Sequence, residues 1–344
     1  MRDLRKFIRK CLLFSIPLWL HIGIYAVTDP FMVIFDYDNY YTERQIPLAL
    51  DRDYVSTMTY VQNKKNIDYD SFIFGNSRSM YYPVADWQHH IGDSARCYHF
   101  DASAESLYGV LKKVQWIDLN GGSLKNALFV IDASLLEQAL PQTDSHLFYV
   151  SPILEDYANL FGFHFTHWKS FLNIKFAYAV CDYSVSHEVK DYMVANHFLE
   201  NYNVEYELES NEVTEESFEQ AIQEGKYYTP ERLSVFEGAQ TPRMGDAVIY
   251  EEQRVLLNQL CDILNKHRCN YKIVISPLYN QVQLNTADIH SLQNIFGEQR
   301  ICDFSGVNDI TTDYHNYYEA AHYRPIVAKR IMEDIYKKKN QTQK

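Results

Sequence analysis

The chain has 344 residues, of which 47% are hydrophobic, and its formal net charge at pH 7 is -13. This length and composition suit one large folded domain with an insertion, and they exclude a disordered or fibrous protein. The charge excludes nucleic acid as a partner, because phosphate binding needs a basic surface and Lys and Arg cluster only at the termini. The six cysteines show no Cys-x-x-Cys and no zinc-type spacing, so we expect neither a metal site nor another cofactor.

The N-terminus carries a membrane signal. Five of the first ten residues are Lys or Arg against one acid, and residues 11–27 follow without a formal charge, although they include Pro17 and His21. Seventeen helical residues span about 26 Å, slightly less than a hydrocarbon core of about 30 Å. No small-x-small cleavage site follows, which favours an uncleaved anchor over a cleaved signal peptide. The positive-inside rule then places everything after residue 30 outside the cytoplasm.

Short apolar runs alternate with helical patterns from about residue 68. Strands are predicted at residues 71–74, 95–100, 127–131, 272–275 and 301–304. Helices are predicted at 107–119, 250–264 and 286–296, and after Pro325, which suits a first helical position. Strands that alternate with helices in this way predict a parallel, doubly wound α/β sheet.

Residues 140–246 interrupt the alternation with aromatic-rich helical segments and a run of glutamates. We interpret this stretch as an insertion or lid over the strand ends, because the sheet pattern resumes after it, and the glutamates as a solvent-exposed face. The predicted organisation is a cytoplasmic tip and membrane anchor at 1–35, a lead-in segment at 36–67, an α/β domain at 68–338 that contains the insertion, and a tail at 339–344.

Two motifs near the ends of the predicted domain carry chemistry. Gly75-Asn76-Ser77 follows the first strand in a turn that presents a hydroxyl at the end of the sheet. Glu319 and His322 lie on a polar loop near the C-terminus. Sites in such sheets form at the carboxyl ends of strands. By this prediction, that edge collects Ser77, Asp101, Asp132, Ser276 and the final loop.

These residue types suit nucleophilic catalysis by serine. A serine hydroxyl attacks well only when a base within hydrogen-bond reach removes its proton, and we assign that role to His322. Glu319 would accept a hydrogen bond from the imidazole and fix its tautomer. Asp313 and His315 are the alternative acid and base, ranked lower because they lack the three-residue spacing. A polar loop that hydrogen bonds only to itself is the structural alternative.

Taken together, the two motifs resemble the SGNH/GDSL hydrolase superfamily, in which a Gly-x-Ser turn follows the first strand and an Asp-x-x-His pair completes the triad. Glu319 stands where that pattern has Asp. Gly-Asn-Ser-Arg at 75–78 and His-Tyr-Arg-Pro at 322–325 are similar to the membrane-anchored, extracytoplasmic branch associated with polysaccharide O-acylation. The resemblance covers roughly residues 68–338. It implies a three-layer, flavodoxin-like α/β fold, here with an inserted helical lid and an N-terminal transmembrane helix.

The resemblance also implies an oxyanion hole, made from the serine N–H, a Gly N–H after the second strand and an Asn side chain after the third. This chain has Asp101-Ala102-Ser103-Ala104 and Asp132-Ala133-Ser134 there, so neither block matches. Main-chain N–H groups at Ser77 and near Ser103 can still serve, whereas Asp132 donates only if protonated. The oxyanion or substrate candidates are therefore Asn76, Arg78, Asp101, Ser103 and Asp132.

Two further roles stay open in the sequence. Arg78 is either an anion clamp or a salt-bridge partner of Asp101, and we favour the salt bridge slightly. Four tyrosines flank the two motifs and are either sugar-stacking platforms or core residues: Tyr81, Tyr82, Tyr317 and Tyr318.

The function that the resemblance implies is serine-dependent acyl transfer to an extracytoplasmic polysaccharide through an acyl-serine intermediate, with acetyl as the leading acyl group. Transfer requires an acyl group from across the membrane, which implies a membrane-bound O-acyltransferase as partner. Two alternatives are a carbohydrate esterase that only hydrolyses and an inactive scaffold for surface-polysaccharide assembly. The missing Gly and Asn blocks favour the scaffold.

Overall fold

The structure is a computed structural model that describes residues 2–44, 46–195, 199 and 204–337. The chain forms two compact units: Met1–Asp51, Thr143–Leu147 and Asn159–Tyr202 in the first, and Arg52–Gln142, Phe148–Ala158 and Asn203–Lys344 in the second. The predicted insertion at 140–246 is therefore divided between them. The predicted tail at 339–344 lies outside the described residues, and the other domain bounds stay predictions.

The secondary structure of the described residues alternates between helices and short strands. The helices are α1 (Arg2–Thr28), α2 (Arg52–Asn63), α3 (Val84–Ile91), α4 (Leu107–Leu119), α5 (Ala133–Glu137), α6 (Leu160–Phe171), α7 (Ile174–Ser186), α8 (Asp191–Ala195), α9 (Glu216–Gln223), α10 (Pro230–Leu233), α11 (Glu251–Lys266), α12 (Thr286–Phe296) and α13 (Pro325–Tyr336). The strands are β1 (Ser71–Gly75), β2 (Cys97–Asp101), β3 (Asn126–Ile131), β4 (Glu205–Glu207), β5 (Glu212–Thr214), β6 (Arg243–Met244), β7 (Asn270–Ile275), β8 (Val282–Gln283), β9 (Ile301–Asp303), β10 (Tyr317–Glu319) and β11 (His322–Tyr323).

A five-stranded parallel sheet in the order β2-β1-β3-β7-β9 lies at the centre of the second unit. This is the doubly wound order, with its switch point between β1 and β3. The register places Gly75 beside Asp101 on one side and beside Val130 on the other. The carboxyl ends of β1, β2 and β3 therefore meet at one edge, and the predicted α/β class with a central parallel sheet is confirmed.

Helices cover both faces of this sheet. Successive residues of a strand point to opposite faces, so each strand contributes side chains to a core on either side. Phe72 and Phe74 of β1 belong to the core that contains residues of α4, α11 and α12. Ile73, between them, belongs to the core that contains Trp87 of α3 and Ile331 of α13. All five residues of β1 are buried, which explains why this strand reads as a continuous apolar run.

The predicted elements of the sheet unit agree closely with the observed bounds. The helices predicted at 107–119 and 286–296 are α4 and α12 without change. The strand predicted at 95–100 begins later, at Cys97, because Ala95 N–H still donates to Gly92 O in the preceding turn. Local periodicity therefore located the sheet and its helices to within two or three residues.

The glutamate run contains both exposed and partly buried residues. Glu205, Glu207 and Glu209 are exposed as predicted. Glu212 instead accepts from Val84 N–H at 2.7 Å, and Glu219 pairs with Arg324 at 2.7 Å. The interpretation of the whole run as a solvent-exposed face is therefore wrong for Glu212 and Glu219.

In the first unit, α1 has 27 residues and is about 40 Å long. It is long and apolar enough to cross a membrane, with a mean hydropathy of 1.7 over its most apolar window. The helix is followed by Asp29, whose carboxylate accepts from the N–H groups of Val33, Ile34 and Phe35 at 3.0 to 3.1 Å. This turn folds the chain back, so Phe31 is buried in the unit.

Candidate active site

The end of β1 presents Ser77 at the edge of the sheet. Asn76 caps a short 3₁₀ turn at Ser77–Tyr81, and its side chain accepts from Arg78 N–H at 3.2 Å. A Cβ atom on Gly75 would lie 2.5 Å from Val130 O and 2.9 Å from Ser79 Cβ. Glycine is therefore needed for the chain to pass this close to β3 before it turns.

The structure brings Ser77, His322 and Glu319 into one hydrogen-bonded chain. Ser77 Oγ lies 2.8 Å from His322 Nε2, and His322 Nδ1 contacts Glu319 Oε1. Glu319 and His322 are paired directly across the β10–β11 ribbon, which fixes their relative positions. Because a carboxylate only accepts, Nδ1 carries the proton and Nε2 is left to accept from the serine hydroxyl. This is the tautomer that a general base needs.

The second oxygen of Glu319 also has a donor, Ala321 N–H at 3.0 Å. Burial by itself would raise the pKa of the Glu319 carboxyl, but hydrogen bonds from His322 and Ala321 outweigh burial and lower this pKa. Glu319 is therefore ionised near neutral pH and can stabilise a positive charge on the imidazole.

The alternative acid and base lie on the same loop but make different contacts. His315 Nδ1 is 2.7 Å from Asp313 Oδ1, and the His315 ring stacks on Tyr314 with centroids 4.0 Å apart. Both side chains of this pair are exposed, and no contact among the described residues joins either of them to Ser77. The structure thus places the two histidines of the loop in clearly different surroundings.

Asp132 follows β3 and holds the serine turn in place. Its Oδ1 caps α5, accepting from Ser134 N–H at 2.9 Å and Leu135 N–H at 3.1 Å. Its Oδ2 accepts from Asn76 Nδ2 at 2.6 Å and from Arg78 Nη1 at 2.8 Å. Burial opposes ionisation, but the charge of Arg78 and these hydrogen bonds outweigh burial and lower the pKa of Asp132. An ionised carboxylate cannot donate to an oxyanion, so Asp132 does not supply the donor that the predicted oxyanion hole needs after the third strand.

The predicted salt bridge between Arg78 and Asp101 is wrong. Arg78 pairs with Asp132, and its Nε donates to Ala321 O at 3.0 Å, which ties the serine turn to the histidine loop. Asp101 pairs instead with Arg52 at 2.9 Å. Sequence reasoning missed Arg52 because it lies on α2, outside the predicted α/β domain, and belongs to no motif.

Asp101 is part of a larger group of buried ions, which we call the buried charge cluster: Arg52, Asp53, Asp101, Glu105 and Lys113. With its carboxylate held by Arg52, Asp101 has no surface for a substrate. The turn after β2 continues through the partly buried Ser103 to Ala104, whose φ of +48° lies in the left-handed region. Where the SGNH pattern would have a glycine after the second strand, this chain therefore has Ala104, whose backbone conformation is one that glycine usually adopts.

The four tyrosines predicted as sugar-stacking platforms or core residues are all buried. Tyr81 packs edge-on against the His322 ring with centroids 5.8 Å apart, and against Tyr318 at 5.4 Å. Tyr317 donates from its hydroxyl to Pro277 O at 2.9 Å. Tyr82 and Tyr317 are 0% exposed and have no face for a sugar, so we assign them to the core. Tyr81 and Tyr318 pack in the core as well, but both also line a cavity.

Two ligand-sized cavities adjoin the residues around the triad. One, of about 440 Å³, is lined by polar residues that include Arg78, Asp132, Arg243 and Asn280, and by aliphatic residues that include Ile275 and Leu278. The other, of about 460 Å³, is lined by Tyr81 together with acidic residues of the β5–α9 region, including Glu215. Arg78, which follows Ser77, lines the first cavity, and Tyr81, which contacts the His322 ring, lines the second.

The resemblance to SGNH hydrolases rests on the serine turn, the Glu319–His322 pair and the motifs around them. Within the described residues, no group of three or more His, Cys, Asp or Glu side chains is placed to hold a metal ion. No known protein-family model matches the chain, and no curated protein matches it.

Proposed function

We propose that this protein is a membrane-anchored, serine-dependent acyltransferase that O-acylates, with acetyl as the leading group, an extracytoplasmic polysaccharide. One observation carries the proposal: Ser77 Oγ is 2.8 Å from His322 Nε2 while His322 Nδ1 is held by Glu319. A nucleophile, a base and an orienting carboxylate in this relation form an activated serine. The doubly wound strand order and the position of Ser77 at the switch point support a three-layer, SGNH-like fold.

In the proposed first step, His322 Nε2 takes the hydroxyl proton of Ser77 while Oγ attacks the carbonyl carbon of the acyl donor. The imidazolium that forms is stabilised by the ionised Glu319. The tetrahedral intermediate collapses as His322 returns the proton to the departing group, which leaves an acyl-serine. In the second step, His322 takes the proton of a sugar hydroxyl while its oxygen attacks the acyl carbon. The C–Oγ bond then breaks, and His322 returns the proton to Ser77 Oγ, which restores the free serine and the neutral base.

The proposal assigns the oxyanion to Ser77 N–H and the guanidinium of Arg78. Two of the guanidinium nitrogens already donate to Asp132 and Ala321, which fixes the plane of the group. The third, Nη2, has no hydrogen-bond partner among the described residues, and Arg78 lines the 440 Å³ cavity. A fixed cation in a partly buried site stabilises developing negative charge well.

The location outside the cytoplasm rests on α1 and on the basic residues before it. An acyl donor made in the cytoplasm would then have to cross the membrane before it reaches Ser77. This requirement makes a membrane-bound O-acyltransferase the proposed partner. An esterase differs only in the second step, in which water replaces the sugar hydroxyl. The inactive-scaffold alternative is favoured by one observation, the carboxylate of Asp132 in the position of the family's Asn donor.

Labelling with a fluorophosphonate probe tests the proposal, because such probes react with an activated serine and not with every exposed one. The full-length protein should be labelled at one site, and Ser77→Ala should abolish labelling. Ser94→Ala, which removes an exposed serine away from the triad, should leave labelling unchanged. Absence of labelling in the folded wild-type protein would overturn the proposal and leave the scaffold function.

A second measurement separates transfer from hydrolysis. The protein is incubated with p-nitrophenyl acetate, and the acetyl group on Ser77 is followed by mass spectrometry with and without added oligosaccharide. Faster loss of the acetyl-serine together with acetylated sugar supports the transferase. Loss at the same rate with only acetate as product identifies an esterase.

A further inference from the structure

Helices α6 and α7 form a hairpin in the first unit, and its tip, which we define as residues 171–175, exposes the apolar side chains of Leu172 and Ile174. Phe161 on α6 and Ile174 at the tip are 83% and 81% exposed. Phe165, Leu172 and Tyr178 add further exposed apolar surface on the same hairpin. The rings of Phe161 and Phe165 stack with centroids 6.0 Å apart, so exposed apolar side chains of α6 adjoin one another. Exposed apolar patches mark surfaces that a protein partner or a membrane covers.

The tip of the hairpin is held against α1. The ring of His21 lies 4.9 Å from the ring of Phe171, and His21 Nε2 is 3.1 Å from Phe171 O. Tyr25 packs on the same phenyl ring at 5.4 Å. His21 and Tyr25 lie inside the uncharged run at 11–27, so a membrane that surrounds this run also reaches the depth of Phe171.

Several backbone groups at the tip have hydrogen-bond partners within the protein. His21 supplies the donor for Phe171 O, and Leu172 N–H donates to Lys169 O at 3.1 Å. Asn173 Oδ1 accepts from Lys175 N–H at 3.1 Å and Phe176 N–H at 3.4 Å. A lipid environment demands internal partners of this kind, because no water is there to replace them.

The charge pattern of the hairpin is the reverse of that of the whole chain. The protein has 45 acidic residues and a net charge of -13, yet residues 157–181 contain no Asp or Glu. The formal charges in this stretch are Lys169 and Lys175, both exposed and on either side of Leu172. Lysines next to an apolar tip can extend their ammonium groups to lipid phosphates while their stems stay in apolar surroundings.

We propose that the tip of the α6–α7 hairpin is embedded in the lipid bilayer beside α1, with Leu172 and Ile174 among the acyl chains and Lys169 and Lys175 at the phosphates. The occupant of the exposed face is lipid, because Phe171 at the tip packs on α1, several backbone groups of the tip are satisfied within the protein and its charges are basic. His21 then has a role inside the span, as the donor that satisfies the end of α6. The inference does not depend on acyl transfer.

Spin-label accessibility in the full-length protein tests the inference. Cys11, Cys181 and Cys302, which are exposed or partly buried, are replaced by serine, and one nitroxide is attached at Ile174→Cys. The protein is reconstituted into vesicles of phosphatidylcholine and phosphatidylglycerol. Leu119→Cys in the second unit is the matched control, since Leu119 is also 81% exposed. The three-serine parent without an added cysteine gives the background.

The label at Ile174 should collide more often with oxygen than with a water-soluble nickel chelate, and the label at Leu119 should show the opposite preference. Equal access of the nickel chelate to both positions would overturn the inference, because the tip would then lie in water. Protection of Ile174 from both reagents would also overturn it, because protein and not lipid would then cover the tip. Circular dichroism of each variant shows that the fold is retained.

Discussion

The triad and the buried charge cluster lie near the same edge of the sheet, and both pair carboxylates with nitrogen groups. In the triad, 30% of the His322 side chain and 42% of the Glu319 side chain are exposed. In the cluster, the Lys113 side chain is 0% exposed. The comparison shows that an acid–base pair at a strand end is not by itself a site. A catalytic site also needs a proton acceptor that can give the proton back, and a surface that a ligand can reach.

The cluster uses its charges to join elements. Lys113 of α4 pairs with Asp53 of α2 at 2.9 Å and also contacts Glu105. Lys113 Nζ donates to Asp101 O at 3.2 Å, so α2, α4 and the end of β2 meet at one ammonium group. Every described contact of these groups is made within the fold. Asp101, which the sequence predicted as an oxyanion or substrate residue, is therefore better explained by a structural role than by a catalytic one.

Removing His322 gives the largest expected effect. His322→Ala should lower the rate of p-nitrophenyl acetate cleavage on the order of 10,000-fold, because Ser77 loses its base and a triad acts as a unit. The rate is measured by release of p-nitrophenolate. His315→Ala is the matched control, since it removes the other paired histidine of the loop, and should change the rate little. Equal losses in the two variants would contradict the assignment of His322 as base.

The buried side of the comparison is tested by Lys113→Met. This change leaves Asp53 and Glu105 buried without their cation, so the free energy of unfolding should fall by about 3 to 5 kcal/mol. Urea denaturation followed by circular dichroism measures the change. Lys125→Met removes an exposed lysine paired with Asp70, and should cost less than about 1 kcal/mol. A similar small cost for both would show that the cluster is hydrated in solution.

Glu319→Gln tests the orienting carboxylate and should have a smaller effect on activity than the loss of His322. Cleavage of p-nitrophenyl acetate should fall on the order of 100-fold, because the amide no longer fixes the tautomer that leaves Nε2 as acceptor. Stability should change little, since the carboxylate is partly exposed. Asp313→Asn is the matched control and should retain full activity. Full activity in Glu319→Gln would move the site to Asp313 and His315.

The smallest expected effect is a pH dependence of stability from His99, which is buried behind the serine turn with Nε2 3.2 Å from Ser79 Oγ. Burial, with help from the charges of Arg52 and Lys113 and against that of Asp101, lowers the pKa of His99 to about 4. The unfolded chain binds this proton near pH 6.5, so between pH 6.5 and 4 the unfolded state holds more protons than the folded state. The unfolding free energy should therefore decrease as the pH is lowered from 6.5 to 4, by at most about 1.4 kcal/mol per pH unit.

His99→Gln should remove this part of the slope. His89→Gln, which changes an exposed histidine, should keep it. The measurement is urea denaturation at a series of pH values between 4 and 7. An unchanged slope in His99→Gln would mean that His99 is protonated in the folded protein.

The sequence located much of the sheet and the residues that meet at Ser77. It did not reveal the ion pairs that Arg78 and Asp101 make. Apolar runs of three to five residues located β1, β3 and β7, because the part of a strand that is buried on both faces must be apolar. The serine turn was recognisable because only glycine fits at position 75. The exchange of partners between Arg78 and Arg52 was not predictable, since both arginines suit either carboxylate by chemistry.

The sequence by itself determined the order of strands and helices, the apolar N-terminal helix and the two motifs that hold Ser77 and His322. These features depend on periodicity and turn chemistry within short stretches, where neighbouring residues alone decide the conformation. Only the tertiary structure decided which groups meet: Arg52 with Asp101 across 49 positions, Arg78 with Asp132 across 54, and His21 with Phe171 across 150. Such contacts depend on how elements far apart in the sequence pack together, and the spacing of residues within a short stretch does not encode that packing.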